Sequence, residues 1–318
     1  MFPFFRSKKQ LKLGVDISDE VMRVMALALE GDCYCVTCYE GVSLPVGAVV
    51  EREIKDVKGV AEILKQIVKQ RGLRGREAVI ALPQHKMMTQ VVQLPNGLSN
   101  DEIAEHFDRE IGRYVSYPVD KVNFDFMVLK ENNSGPEFID VLLIICRCEA
   151  VDTIIKLMDT ADLQLKVIDT ETLAMGRVIN RLVENLPDKM ENLTVALVDI
   201  ERGKFTLYIT HNQQLIYKRE HFFGENELPS HIDIVEQIKH ALQVFFSATG
   251  FTVIDQLIIS GQPEDPIGLL KSNLGIPIKM ANPLKNMRIT SSAKQQLMAV
   301  GPEELMRCCG LALRGFIS

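Results

Sequence analysis

Apolar residues recur along this chain with two periods, and the switches between them mark its elements. Leu13-Gly14-Val15-Asp16-Ile17 is an apolar run that delivers an aspartate, and alternation follows from Val21 to Leu27 before a turn at Glu30-Gly31-Asp32. This predicts a meander of strands. Val60, Ile63, Leu64, Ile67 and Val68 then share one face of a helix that stops at Arg71-Gly72. Ala78 to Leu82 reads as a buried strand closed by Pro83, and Val91 to Leu94 as another. Ser99 with Glu102 three residues on forms a capping box, opening a helix whose Ile103, Phe107, Ile111 and Tyr114 share a face. Val122, Phe124, Phe126 and Val128 alternate with polar neighbours, and a turn at 132–136 leads to a strand from Ile139 to Cys146.

The remainder repeats the opening theme. Leu165 to Asp169 is a strand leading through Thr170-Glu171 into a helix near 172–184, and Asn185-Leu186-Pro187-Asp188 reads as a linker. Ala196-Leu197-Val198-Asp199-Ile200-Glu201 then nearly restates Leu13 to Ser18: an apolar strand, an aspartate, a turn. Strands from Phe205 to Thr210 and Gln214 to Tyr217 follow, then a helix with Ile234, Ile238, Ala241, Leu242 and Phe245 on one side, a strand ending at Gly261, and a helix from Pro302 to Leu313. Two such halves around a cleft are expected, with a compact α+β insertion in the first. The boundaries read as 11–83 plus 166–185 for the first domain, 84–165 for the insertion and 193–318 for the second half.

At 318 residues and 47% hydrophobic content, the chain can bury large cores. A net charge of -6 without a long basic run argues against nucleic acid as partner. The apolar patch at Met1 to Phe5 is too short for a secretion signal and reads as a frayed terminus, and no run reaches the ~20 apolar residues of a spanning helix, so a cytoplasmic protein is expected. Seven cysteines lie mostly in apolar runs, as buried thiols do, and the spacing of Cys33, Cys35 and Cys38 suits a strand better than zinc. Six scattered histidines form no metal register, and no serine elbow, dinucleotide fingerprint or P-loop is present.

The order of elements resembles the actin, Hsp70 and hexokinase superfamily, an α/β fold built by duplication of a ribonuclease H-like unit. Val115-Ser116-Tyr117-Pro118-Val119-Asp120-Lys121-Val122-Asn123-Phe124-Asp125-Phe126 resembles the signature stretch of the PilM family, cytoplasmic actin-like proteins of type IV pilus assembly. Ala241 to Ser247, Gly275-Ile276-Pro277, Ala281-Asn282-Pro283 and Gly310 to Leu313 resemble the same family in register, so the resemblance spans Leu13 to Arg314. It implies an adaptor that binds the cytoplasmic tail of a bitopic, PilN-like membrane protein in a groove between the first large domain and the insertion. Leu94, Phe107, Tyr114 and Tyr117 are the expected groove residues, although Phe107 and Tyr114 also suit the buried stripe of their helix. Peripheral association with the inner membrane through partners, contact with the pilus motor platform and self-association also follow from the resemblance.

The superfamily further implies a site for ATP and magnesium. By position, Asp16 and Asp199 match the magnesium aspartates, Glu171 the residue that orients water, and Ser18, Gly203, Gly224, Glu236, Lys239, Gly261 and Gln262 the nucleotide contacts. The cradle departs from that pattern: Glu201, Arg202 and Lys204 replace small and hydroxyl residues after the second aspartate, and Ser18 replaces a glycine. ATP binding is therefore left open, and weak ATPase activity at most is expected. The alternatives are an active ATPase or sugar kinase of this superfamily, and a filament-forming relative of the cell-division type. The latter family generally carries a C-terminal membrane-targeting helix that the closing residues here do not resemble.

Overall fold

The computed structural model describes residues 11–129, 137–184, 192–201, 203–223, 231–261 and 274–317. Strands β1 (Leu11–Ile17), β2 (Val21–Glu30) and β3 (Cys33–Ser43) form the expected antiparallel meander, and the cysteines of 33–38 lie within β3. A two-stranded hairpin, β4 (Val49–Val50) and β5 (Glu53–Ile54), precedes α1 (Val57–Arg71). Asp56 accepts a hydrogen bond from Gly59 N–H at the start of this helix, and Gly72 ends it in the left-handed conformation, φ 65°. Then come β6 (Glu77–Leu82), β7 (Met87–Pro95), α2 (Asn100–Glu110), β8 (Val122–Val128), β9 (Phe138–Arg147), α3 (Cys148–Thr160), β10 (Gln164–Thr170) and α4 (Glu171–Glu184). The Ser99–Glu102 capping box of α2 forms in both directions.

The second half supplies β11 (Thr194–Glu201), β12 (Lys204–His211), β13 (Gln214–Phe222), α5 (His231–Ala248), β14 (Gln256–Gly261), β15 (Ile278–Met280), β16 (Arg288–Ile289), α6 (Ser291–Gln296) and α7 (Met306–Arg314). Its sheet runs β13-β12-β11-β14-β15, and the first-half sheet runs β3-β2-β1-β6-β10 with β16 added outside β3. In both, an antiparallel meander is followed by two parallel strands on the other side of the first. The duplication read from the two aspartate-bearing strands is thus a duplication of topology.

Helices α4 and α7 lie in the core between the sheets, where Met175, Val178 and Ile179 meet Cys308, Cys309 and Ala312 along with Met25, Leu27, Val195 and Leu197. Two glycines set how closely this layer packs. A Cβ on Gly14 would lie 2.2 Å from Cys308 O, and one on Gly310 would lie 2.1 Å from Ala174 O. The outer face of the first sheet is covered by α1 and α3, and that of the second by α5.

The 84–165 segment does not pack as one unit. Strands β7, β9 and β8 form a separate three-stranded sheet whose core, with α2, contains Leu94, Ile103, Phe107, Ile111, Val141, Leu143 and Ile145. Helix α3 instead buries Ile154, Leu157 and Met158 with α1 under the large sheet. The C-terminal elements also cross back: β16 pairs with β3, and α7 packs on β1 and α4, so 193–318 is not confined to the second half.

Candidate functional site: an ion-paired cleft and an adjoining groove

Parallel strands of this kind open a crevice at their carboxyl ends, and Asp16 near the end of β1 and Asp199 near the end of β11 both face it. They are 4% and 6% exposed. Between them stand two arginines that periodicity did not single out. Arg52 Nη1 lies 3.1 Å from Asp16 Oδ1 and 3.2 Å from Glu171 Oε1, and its Nη2 lies 2.9 Å from Glu201 Oε1. Arg307 Nη1 lies 3.0 Å from the same Glu201 oxygen, and its Nη2 lies 3.1 Å from Asp199 Oδ2. Ser260 Oγ donates to the other Asp199 oxygen at 2.7 Å. Five residues thus alternate in charge across the cleft, Asp16, Arg52, Glu201, Arg307, Asp199, with Glu171 alongside.

The backbone fixes Arg52 in place. Glu51 and Arg52 are the central residues of the β4–β5 hairpin, with φ of 51° and 62°, where Asn-Gly is the usual pair. Asp19 compensates by accepting both backbone N–H groups, at 2.8 Å from Glu51 and 2.6 Å from Arg52. Arg52 Nη1 also donates to Ile17 O at 3.2 Å. Arg307 is carried by α7, the helix seated on β1 through Gly14.

Charge and burial oppose each other here, and pairing wins for three of the groups. Burial pushes the Glu201 carboxyl up, but Arg307, Arg52 and Lys204 together hold it well below the usual carboxylate range. Burial and their mutual repulsion work against the charge on Arg52, yet Glu171, Asp16 and Glu201 raise it. Arg307 is likewise raised, burial being outweighed by Glu201, Glu171, Asp16 and Asp199. Asp199 is the exception. Its burial raises it, with Glu201 adding to the effect, despite Arg307, Ser260 and Arg52.

The other expected nucleotide contacts have internal partners. Ser18 Oγ donates to Val21 O at 2.8 Å and accepts from Val21 N–H at 3.1 Å, closing the β1–β2 turn. Gly203 adopts φ 79° in the β11–β12 hairpin. Glu236 and Lys239 pair with each other on α5 at 2.7 Å. Gly261 has φ 92°, and a Cβ there would lie 1.9 Å from Ile200 O, so the close approach of β11 requires this glycine. Gly224 and Gln262 lie outside the described residues, as does Arg202. Lys204 stands 3.7 Å from Glu201 and 3.2 Å from Glu220.

These contacts test whether a magnesium nucleotide fits. Guanidinium groups lie against both aspartates, and Glu201 sets a carboxylate where phosphate oxygens would approach. Among the described residues no three His, Cys, Asp or Glu side chains are arranged to hold a metal ion. As folded, the donor set does not fit the group.

Beside the cleft, a cavity of about 700 Å³ separates the large sheet from the three-stranded sheet. Asp16, Arg52 and Glu171 of the cleft line it, together with Met87, Val115, Tyr114 and Tyr117. The Arg147 guanidinium lies 4.2 Å from the Tyr117 ring centroid. At the rim, hydrogen bonds from Lys86 and Lys55 hold the Glu53 carboxyl down to about 2. Of the expected groove residues, Tyr114 and Tyr117 stand on this wall. Leu94 and Phe107 do not: at 3% and 0% exposure they fill the core behind it, where Phe107 packs edge-on to Tyr114 at 6.0 Å.

Two sheets of one repeated topology, with aspartates at facing strand ends and two helices between them, define an actin-like protein. More narrowly, the chain belongs to the PilM family: the model described as type IV pilus assembly protein PilM matches residues 14–234 and 228–316. Among solved structures, a PilM-PilN type IV pilus biogenesis complex matches at 19% identity with a TM-score of 0.75, over 96% of this chain and 99% of that chain. The ethanolamine utilization protein EutJ from Carboxydothermus hydrogenoformans matches at 11% identity and TM-score 0.47, over 95% and 89%. A Bacteroides thetaiotaomicron protein of actin-like ATPase fold and unknown function matches at 14% and 0.45, over 95% and 100%.

Proposed function

We propose that this protein is an adaptor of type IV pilus assembly and that its cavity receives the N-terminal cytoplasmic tail of a bitopic, PilN-like inner-membrane protein. One observation carries the reading: a 700 Å³ cavity between the large sheet and the small one, with Tyr114 and Tyr117 on its wall, in a chain of the PilM family. Tyrosines there present a large contact area for little rotamer entropy and keep a hydroxyl for polar atoms of a peptide. The Met87, Met88, Val115 and Val122 side chains in its lining can take apolar anchors, while Arg147 and Lys86, also in the lining, can meet peptide carboxylates or carbonyls.

No helix among the described residues is long and apolar enough to cross a membrane. In this reading the protein is held at the inner membrane by its partner and links that partner to the motor platform. Titrating the whole chain with a synthetic peptide of the partner's cytoplasmic tail tests it. Saturable binding that weakens in Tyr117→Ala is expected, and its failure with every such tail removes the reading. The paired state of Asp16, Glu171 and Asp199 lends nothing to the ATPase, sugar-kinase or filament alternatives.

A further inference from the structure

The fold brings a nucleotide-type cleft, and the chain fills it with its own cations. We propose that Arg52 and Arg307 bridge the two halves in the position a magnesium nucleotide would take, and that this chain binds no magnesium nucleotide there.

Three observations carry this. First, the two guanidinium groups engage carboxylates from both halves: Asp16 and Glu171 from the first, Asp199 and Glu201 from the second. A magnesium ion would compete with a guanidinium for each aspartate. A polyphosphate would meet the four carboxylates of Asp16, Glu171, Asp199 and Glu201 against two arginines and Lys204, which also serves Glu220, in a buried setting where repulsion is weakly screened. Second, the turn that presents the arginine facing both cleft and groove is fixed at its backbone. Arg52 and Glu51 are held in the left-handed region by Asp19, a costly conformation sustained by dedicated hydrogen bonds. Third, the groups that would contact a nucleotide have other employment, as Gly261 against Ile200, Ser18 against Val21 and Glu236 against Lys239 show.

An anion-binding role for the same arginines is the competing use of this chemistry. It would require the phosphate to displace carboxylates that are themselves anchored on strand ends and at the first residue of α4. The arrangement pairs the terminal nitrogens of both guanidinium groups without a ligand, while Arg307 Nε is buried without a hydrogen-bond partner.

The test uses the whole chain and two measurements. Thermal unfolding of the parent is followed with increasing Mg-ATP, and that of Arg52→Gln and Arg307→Gln is followed without ligand. The expected result is an unfolding temperature that Mg-ATP leaves unchanged, together with a downward shift in each variant. A rise in the parent's unfolding temperature that grows with Mg-ATP concentration and is lost in Asp199→Asn would overturn the proposal. So would variants that unfold at the parent's temperature. If a variant fails to fold, the parent titration alone decides. Neither measurement includes a membrane-protein tail, so this inference and the docking reading fail separately.

Discussion

Arg52 of the first half meets Glu201 of the second at 2.9 Å across the mouth of the cleft. The layer beneath is apolar, made by α4 and α7 between the sheets, so the two halves are joined by ordinary packing in depth and by ion pairing at the opening. Removing one member of a buried pair leaves its partner's charge uncompensated. Arg307→Gln takes the guanidinium from Asp199, which keeps the Ser260 hydroxyl, and leaves Glu201 to Arg52 and Lys204, and we expect it to cost about 3 kcal/mol in denaturant unfolding.

The pH dependence of stability follows from Glu201. Its folded carboxyl is held below the ordinary value by Arg307, Arg52 and Lys204, against its burial. A depressed acid contributes stability that is present above its unfolded value, about 4.3, and is lost as pH falls through the folded one. Asp199, raised by burial, works in the opposite direction. The gap in unfolding temperature between the parent and Glu201→Gln isolates the first term. That gap should be full near pH 6 and close progressively below about pH 4.3, and a gap that widened on acidification would contradict the pairing.

Glycine to alanine inside a helix ordinarily stabilises by up to about 1 kcal/mol. At Gly310 the sign should reverse, because the new methyl would lie 2.1 Å from Ala174 O, a backbone atom of α4. A loss of about 1–3 kcal/mol is expected, measured by denaturant unfolding.

The hairpin that presents Arg52 offers a substitution that should help. Glu51 has φ 51°, a conformation that costs a non-glycine residue roughly 1–2 kcal/mol. Glycine loses part of that advantage to its freedom in the unfolded chain. Glu51→Gly should still gain a few tenths to about 1 kcal/mol, provided Asp19 keeps its bond to the same N–H. A loss would show that the turn owes its shape to the Glu51 side chain.

Two aromatic residues expected in one groove should now behave differently. Tyr117 is half exposed on the cavity wall, so Tyr117→Ala should weaken tail binding roughly tenfold with little change in stability. Phe107 is fully buried among Tyr114, Phe124 and Phe126, so Phe107→Ala should lose about 3–5 kcal/mol and reach the groove only through loosened packing. Calorimetric titration beside thermal unfolding separates the two.

Local pattern carried most of the fold. The meander, the α1 stop at Gly72, the capping box of α2 and the repeated aspartate strands are each written in a few adjacent residues, and each formed where expected. Long-range placement was less legible. Nothing within 148–160 says that this helix packs against α1 rather than α2, since the same apolar stripe suits either surface. The ion network was hidden for a related reason: Arg52 sits 36 positions from Asp16 and 149 from Glu201, and Arg307 sits 106 from Glu201. A signal did exist for Arg307, the lone charge between Met306 and Leu313 in a helix otherwise apolar or small. A buried lone charge asks for a partner, and Glu201 stood out as an acid that departs from the expected cradle.

Gly14 and Cys308 touch although 294 positions separate them, with the Cys308 thiol donating to the Gly14 carbonyl at 3.4 Å. Strand β1 therefore has one face waiting for a helix that is synthesised 294 positions later. Until α7 arrives, Met25, Leu27 and the small surface around Gly14 stay open to whatever else is sticky nearby. A nascent chain stalled anywhere before residue 306 should thus be a better client for holdase chaperones than its length alone would suggest.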